Sequence, residues 1–139
     1  MNVSPKLNKE VSDFITQAIE LQIEAYRQGD ANIAASIMAG DIFTTLESDI
    51  ASLNQQGFTQ ISEIDYYKSY INDIRVVNDT NLEVNTCEVW STNIYRRSDS
   101  ALIQNIDPRL LPQTITIQKL NQGWFITKVN FLDAPAFCK

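Results

Sequence analysis

Between Asn8 and Gln28 the apolar residues Val11, Phe14, Ile15, Ala18, Ile19, Ile23 and Tyr26 recur at steps of three and four, while Glu10, Asp13, Gln17, Glu20 and Glu24 fall largely between them. That spacing stacks the apolar side chains on one face, so an amphipathic helix is predicted over 8–28. Gly29 can take the left-handed backbone that ends a helix, and Asp30 can cap a second, short helix over Ala31–Met38. Gly40-Asp41 repeats the punctuation. Beyond it Ile42, Phe43, Leu46, Ile50 and Leu53 share one helical face, and the absence of period-two alternation makes 42–55 a third helix, closed by Gly57.

From Tyr66 onward the texture changes to β-branched and aromatic residues in four runs, Tyr66–Val77, Leu82–Arg96, Gln113–Leu120 and Trp124–Phe131, which are expected to be strands. Asp79-Thr80 and Asn121-Gln122-Gly123 supply tight turns, and Arg97–Pro112, with its Asp107-Pro108 pair, is expected to be a longer connection. Helices followed by strands predict an α+β fold, an antiparallel four-stranded sheet with one face covered by the N-terminal helices. A length of 139 residues accommodates one domain, with an ordered core over about 8–131.

Composition narrows the chemistry. Histidine is absent, which removes Ser-His-Asp and Cys-His triads and imidazole-ligated zinc. The four glycines, at 29, 40, 57 and 123, never cluster into a phosphate-binding loop, and no acidic calcium-loop motif occurs. Neither a metal nor another cofactor is expected. The net charge of −6 is uneven, ten acids against three bases in residues 1–65, and such a surface repels nucleic acid and anionic membranes. The two cysteines, Cys87 in a strand and Cys138 in the tail, are expected to be free thiols; with no apolar leader at Met1–Lys6, a cytoplasmic location is expected.

Glu88 is the sharpest candidate for chemistry. Strand alternation puts Leu82, Val84, Thr86, Glu88, Trp90, Thr92 and Ile94 on one face, an apolar surface interrupted by one carboxylate. Desolvated there, it suits proton transfer or the holding of a polar ligand group; as a structural residue it would be satisfied by neighbouring donors. Tyr66, Tyr70 and Trp90 are the aromatics expected to line a cavity, or else to fill the core. Arg96 and Arg97, with Arg109, form the basic concentration that could clamp a carboxylate, or else a solvated rim. The 97–112 connection carries Leu102, Ile103, Ile106, Leu110 and Leu111, greasy enough either to fold back or to meet a partner.

The helix ending in Tyr26-Arg27-Gln28-Gly29-Asp30, the short segment with Ala34-Ala35 and the Gly123-Trp124-Phe125-Ile126-Thr127 strand resemble the nuclear transport factor 2-like, or cystatin-like, superfamily. Together with Tyr66-Tyr67-Lys68-Ser69-Tyr70 and Glu88-Val89-Trp90, they look most like the small C-terminal domain of cyanobacterial and plastid division proteins that carry a J-like domain. The resemblance implies a cone of helices against a curved sheet, and a homodimer, common in the superfamily. Its isomerase and dehydratase branches use a tyrosine and an aspartate whose positions fall here at Gln22 and Leu46, so that chemistry is not carried over. The division-protein domain implies instead the docking of another protein's tail. The expected function is thus a non-enzymatic binding or assembly domain engaging a protein segment or small apolar ligand through the concave sheet face and the 97–112 connection. The rival is an isomerase- or dehydratase-type enzyme using Glu88 as lone acid or base.

Overall fold

The computed structural model describes residues 3–121, 123–133 and 137–138. Helix α1 (Pro5–Gln28) begins three residues before the apolar periodicity, because Ser4 caps it by accepting a hydrogen bond from the Leu7 N–H at 3.1 Å and Pro5 occupies the first turn. It ends at Gly29, whose φ of 69° is left-handed. Helix α2 (Asp41–Gln56) matches the expected third helix.

The expected helix over Ala31–Met38 is cut to a single 3-10 turn, Ala31–Ala34. Its second half is drawn into the sheet instead: the Ile126 N–H donates to the Ile37 carbonyl at 2.8 Å, and the Ala39 N–H donates to the Ile126 carbonyl at 3.0 Å. Cross-strand bonding has won over the weak helical preference of so short a segment.

The sheet is antiparallel and has five strands, not four: β1 (Phe58–Ile64), β2 (Tyr70–Asn78), β3 (Asn81–Arg96), β4 (Leu102–Leu120) and β5 (Gly123–Phe131). β1 and β2 share one edge of β3, β1 against Trp90–Arg96 and β2 against Asn81–Cys87. Between them Tyr66–Ser69 turn rather than starting a strand, since the Asp65 carboxylate accepts the Tyr67 N–H at 3.0 Å and fixes a side-chain-closed turn. The segment expected as a connection, 97–112, is mostly strand. A turn at Arg97–Ser100 leads into β4, which pairs with β3 back to the start of that strand, and the Asp107-Pro108 pair is absorbed in a bulge opposite Ser91. β5 covers the second half of β4, and of the expected 121–123 turn Gln122 lies outside the described residues.

The core lies between the helices and the inward sheet face. Val11, Phe14, Ile15 and Ala18 of α1 and Leu46 and Ile50 of α2 are buried with Leu82, Val84, Ile115, Ile117 and Ile126. The even-numbered residues from Leu82 to Glu88 are all buried, so the inward register expected for β3 is the one observed.

The expectation of free thiols is overturned: Cys87 and Cys138 form a disulfide across 51 residues of chain, with Cα atoms 5.6 Å apart. Cys87 sits on the outer sheet face, opposite in parity to Glu88, and the tail reaches it there; the Tyr70 hydroxyl donates to the Phe137 carbonyl at 2.7 Å. With both thiols oxidised, the cysteines no longer favour a reducing compartment such as the cytoplasm. No helix among the described residues is long and apolar enough to cross a membrane.

Candidate functional site

Where α1 crosses the sheet the core does not close. A cavity of about 250 Å3 remains, walled by Ile15, Ala18, Ile19 and Ile23 on the helix side and by Ile115 and Ile126 on the sheet side. One flank is polar. Gln60 and Ser62 of β1 and Thr92 of β3 point into it, with the Ser62 and Thr92 hydroxyls 3.0 Å apart. Tyr26, Trp90 and Phe131 supply its aromatic surface. A second cavity, of about 180 Å3, lies further toward the start of α1, bordered by Ser12, Thr16, Tyr66, Ser69 and Tyr70.

Glu88 lines both cavities and is only 5% exposed. Its Oε1 accepts from the Trp90 indole N–H at 2.8 Å and from the Gln113 side-chain amide at 2.9 Å, and its Oε2 accepts from the Thr86 hydroxyl at 2.8 Å. Two of these donors sit two residues away on β3, where strand alternation turns them to the same face; the third comes from β4. Three neutral donors hold the carboxylate in place and leave one acceptor position on Oε2. Glu88 takes part in none of the ion pairs among the described residues.

The tyrosines at the rims are tied to acids. The Tyr26 hydroxyl donates to Asp49 at 3.3 Å, and burial, reinforced by the charge of Asp49, pushes its pKa up to about 12. Tyr66 donates to Glu20, and its hydroxyl is likewise pushed up to about 12, first by burial of that end of the side chain, then by Glu20 and by the charge of Glu88. Both hydroxyls are therefore neutral donors at ordinary pH.

Of the residues singled out from the sequence, the fold brings together Glu88, Trp90, Tyr66 and Tyr70 around the two cavities. Arg96 and Arg97 are elsewhere. Arg96 is ion-paired with Asp99 in the β3–β4 turn, and Arg97 donates through Nε to the Thr59 hydroxyl at 2.7 Å, beside Gly29. Neither lines a cavity. Sequence reading missed Gln60 and Ser62, which lie on the unexpected β1, and Gln113. It also missed Gln22, which lines the first cavity. The signal for Gln22 was present, because it shares the helical face of Ile15, Ala18, Ile19 and Tyr26 and is the one polar side chain among them. Among the described residues no cluster of three or more Cys, Asp or Glu could hold a metal ion.

No protein-family model and no curated protein matches this sequence. Solved structures do match the fold. The intermembrane space region of the chloroplast protein ARC6 superposes with a TM-score of 0.77 at 14% identity, covering 96% of this chain and 100% of that one. A nuclear transport factor 2-like superfamily protein from Salmonella enterica serovar Typhimurium LT2 gives 0.59 at 12% identity, with 93% and 96% covered. A protein of the same type from Shewanella oneidensis MR-1, of unknown function, gives 0.54 at 16% identity, with 88% and 98% covered. At these identities the likeness speaks for the fold: the chain has the nuclear transport factor 2-like, cystatin-like cone of helices on a curved antiparallel sheet.

Proposed function

We propose that the chain is a non-enzymatic binding domain whose concave sheet face receives a small, largely apolar ligand, free or carried on a protein segment. The supporting observation is the cavity under α1 with Glu88 already held by three donors. A general acid or base needs freedom to exchange a proton with substrate, and a carboxylate fixed by Trp90, Gln113 and Thr86 is arranged for positioning. No second carboxylate lines either cavity among the described residues, so a donor–acceptor pair of acids is not assembled, and the isomerase-type reading is the weaker one. The cavity is below the roughly 300–1,000 Å3 typical of drug-sized ligands, so its occupant is a small molecule or a single side chain.

The test is calorimetric titration with a neutral probe such as 1-hexanol, against wild type and against Ile19→Phe, which fills the cavity from α1. Saturable binding by wild type, lost in the filled variant, supports the reading; wild type that takes up no probe, or a filled variant that binds equally well, rejects it. Leu102, Ile103 and Leu110 lie exposed on the half of β4 that β5 leaves uncovered, and a second copy is the partner proposed for them.

A further inference from the structure

We infer that the Glu88 cavity selects an organic cation, an aliphatic ammonium group on an apolar body, over a carboxylate of the same size. This rests on the binding-domain reading and names the ligand class for the same site. Its basis is an unbalanced charge. Glu88 is buried, its three partners are neutral, and no Lys or Arg among the described residues lines either cavity. A desolvated carboxylate with only neutral donors is stabilised further by a counter-charge, which the described residues do not provide and a ligand can.

The surroundings favour the same sign. Tyr26 and Tyr66, at the walls of the two cavities, hold Asp49 and Glu20 beside them, and the helical half of the chain, residues 1–65, carries ten acids against three bases. The field at the mouth therefore attracts cations and repels anions. Within the cavity, Trp90, Tyr26 and Phe131 present aromatic surface, against which an ammonium ion and its methylenes both pack favourably. Oε2 keeps one acceptor position for its N–H. A carboxylate entering the same space would meet Glu88 with no cation between them.

Three probes of one chain length decide the matter: n-hexylammonium, 1-hexanol and hexanoate, titrated calorimetrically at pH 7 and low salt. Hexylammonium is expected to bind roughly 10- to 100-fold tighter than hexanol, the margin of a charge-assisted over a neutral hydrogen bond, with hexanoate weakest. Glu88→Gln should bring the ammonium-to-alcohol ratio close to one; the wild-type ratios stand whether or not that variant folds. Hexanol binding with hexylammonium no tighter, or with hexanoate as tight, overturns the inference and leaves the cavity reading intact. If none of the three binds, the cavity reading fails first and takes the inference with it. Nα-acetyl-lysine methylamide, titrated alongside, separates the sources of the ammonium: affinity equal to hexylammonium assigns the site to a partner's lysine, and weaker affinity to a free amine.

Discussion

Glu88 shows how one inward residue organises the polar groups around it. Its side chain satisfies the Trp90 indole, the Gln113 amide and the Thr86 hydroxyl at once; if it is replaced by an apolar residue of similar size, Trp90 and Thr86 lose their acceptor and Gln113 keeps only its 3.5 Å bond to the Leu111 carbonyl. Glu88→Leu is expected to cost about 3 kcal/mol or more in urea unfolding, since buried donors left unpaired are expensive. Glu88→Gln, which keeps one acceptor oxygen, should cost less; equal stability of Glu88→Leu and wild type would show that the network holds nothing. Tyr26 makes a separate prediction at alkaline pH. Its pKa is raised in the folded protein from 10.0 to about 12, by burial first, so the folded state holds the phenolic proton more tightly than the unfolded chain. The stability this represents, on the order of 2 kcal/mol, is fully present below pH 10 and is lost as pH rises through 12. Tyr26→Phe should flatten that part of the stability–pH curve; a curve with the same slope between pH 10 and 12 in the variant excludes Tyr26 as its source. Tyr66 adds less, because 48% of its surface remains in water.

The elements were readable where a single physical requirement acted alone. The apolar stripes of α1 and α2 and the left-handed glycines after them were visible because helix periodicity and positive φ each leave a distinct mark in residue type. Gly29 carries a second requirement that the sequence hides. A Cβ there would meet the Arg97 guanidinium and lie 2.6 Å from the Asn54 side-chain oxygen, while Asn54 donates to the Gly29 carbonyl at 2.9 Å. The ends of α1 and α2 and the start of β1 thus meet at one crowded corner. Gly29→Ala should destabilise by about 1–2 kcal/mol from the backbone alone and should also displace Arg97 from Thr59. An unchanged thermal midpoint would show that the corner relaxes freely. Strand β1 escaped notice for the opposite reason: its inward residues Gln60 and Ser62 border a cavity instead of a packed core, so the apolar alternation that marks a strand is missing where the site is built. The first half of β4 was hidden by Asp107-Pro108, a turn signal in isolation that a long paired strand accommodates as a bulge. Glu88 and Trp90 could be found because β3 alternates cleanly, and Tyr66 and Tyr70 because aromatics cluster in that run, whereas Arg96 and Arg97 drew attention by charge alone and serve the hairpin turn and the helix corner.

At the scale of the molecule, two features govern assembly and endurance. The uncovered half of β4 exposes Leu110 and Leu102, and it ends at Pro112, whose carbonyl already accepts from the Leu132 N–H at 2.9 Å. A second copy is therefore expected to dock by that apolar face, which removes both leucines from water. Sedimentation equilibrium at tens of micromolar should show a dimer that Leu110→Glu dissociates; a wild-type monomer there removes the homodimer. The disulfide acts on the unfolded chain. Closing 51 residues between Cys87 and Cys138 restricts the denatured ensemble by about 4 kcal/mol of free energy on the loop-entropy account. Its sequence signal was slight, because a tail cysteine beyond the last strand gives no hint of which face the chain returns to. Cys138→Ser is the appropriate variant, as Cys87 is fully buried and its replacement would also disturb packing. Under oxidising conditions Cys138→Ser should unfold at the lower urea midpoint of reduced wild type, several kcal/mol below the oxidised protein, and adding reductant to the variant should change nothing further. If reductant leaves the wild-type midpoint where it was, the tail is not stapled to the outer face. Because that staple is on the face opposite Glu88, probe binding in the cavity should survive any reduction that leaves the domain folded, and loss of binding together with the staple would mean that the two sheet faces are coupled.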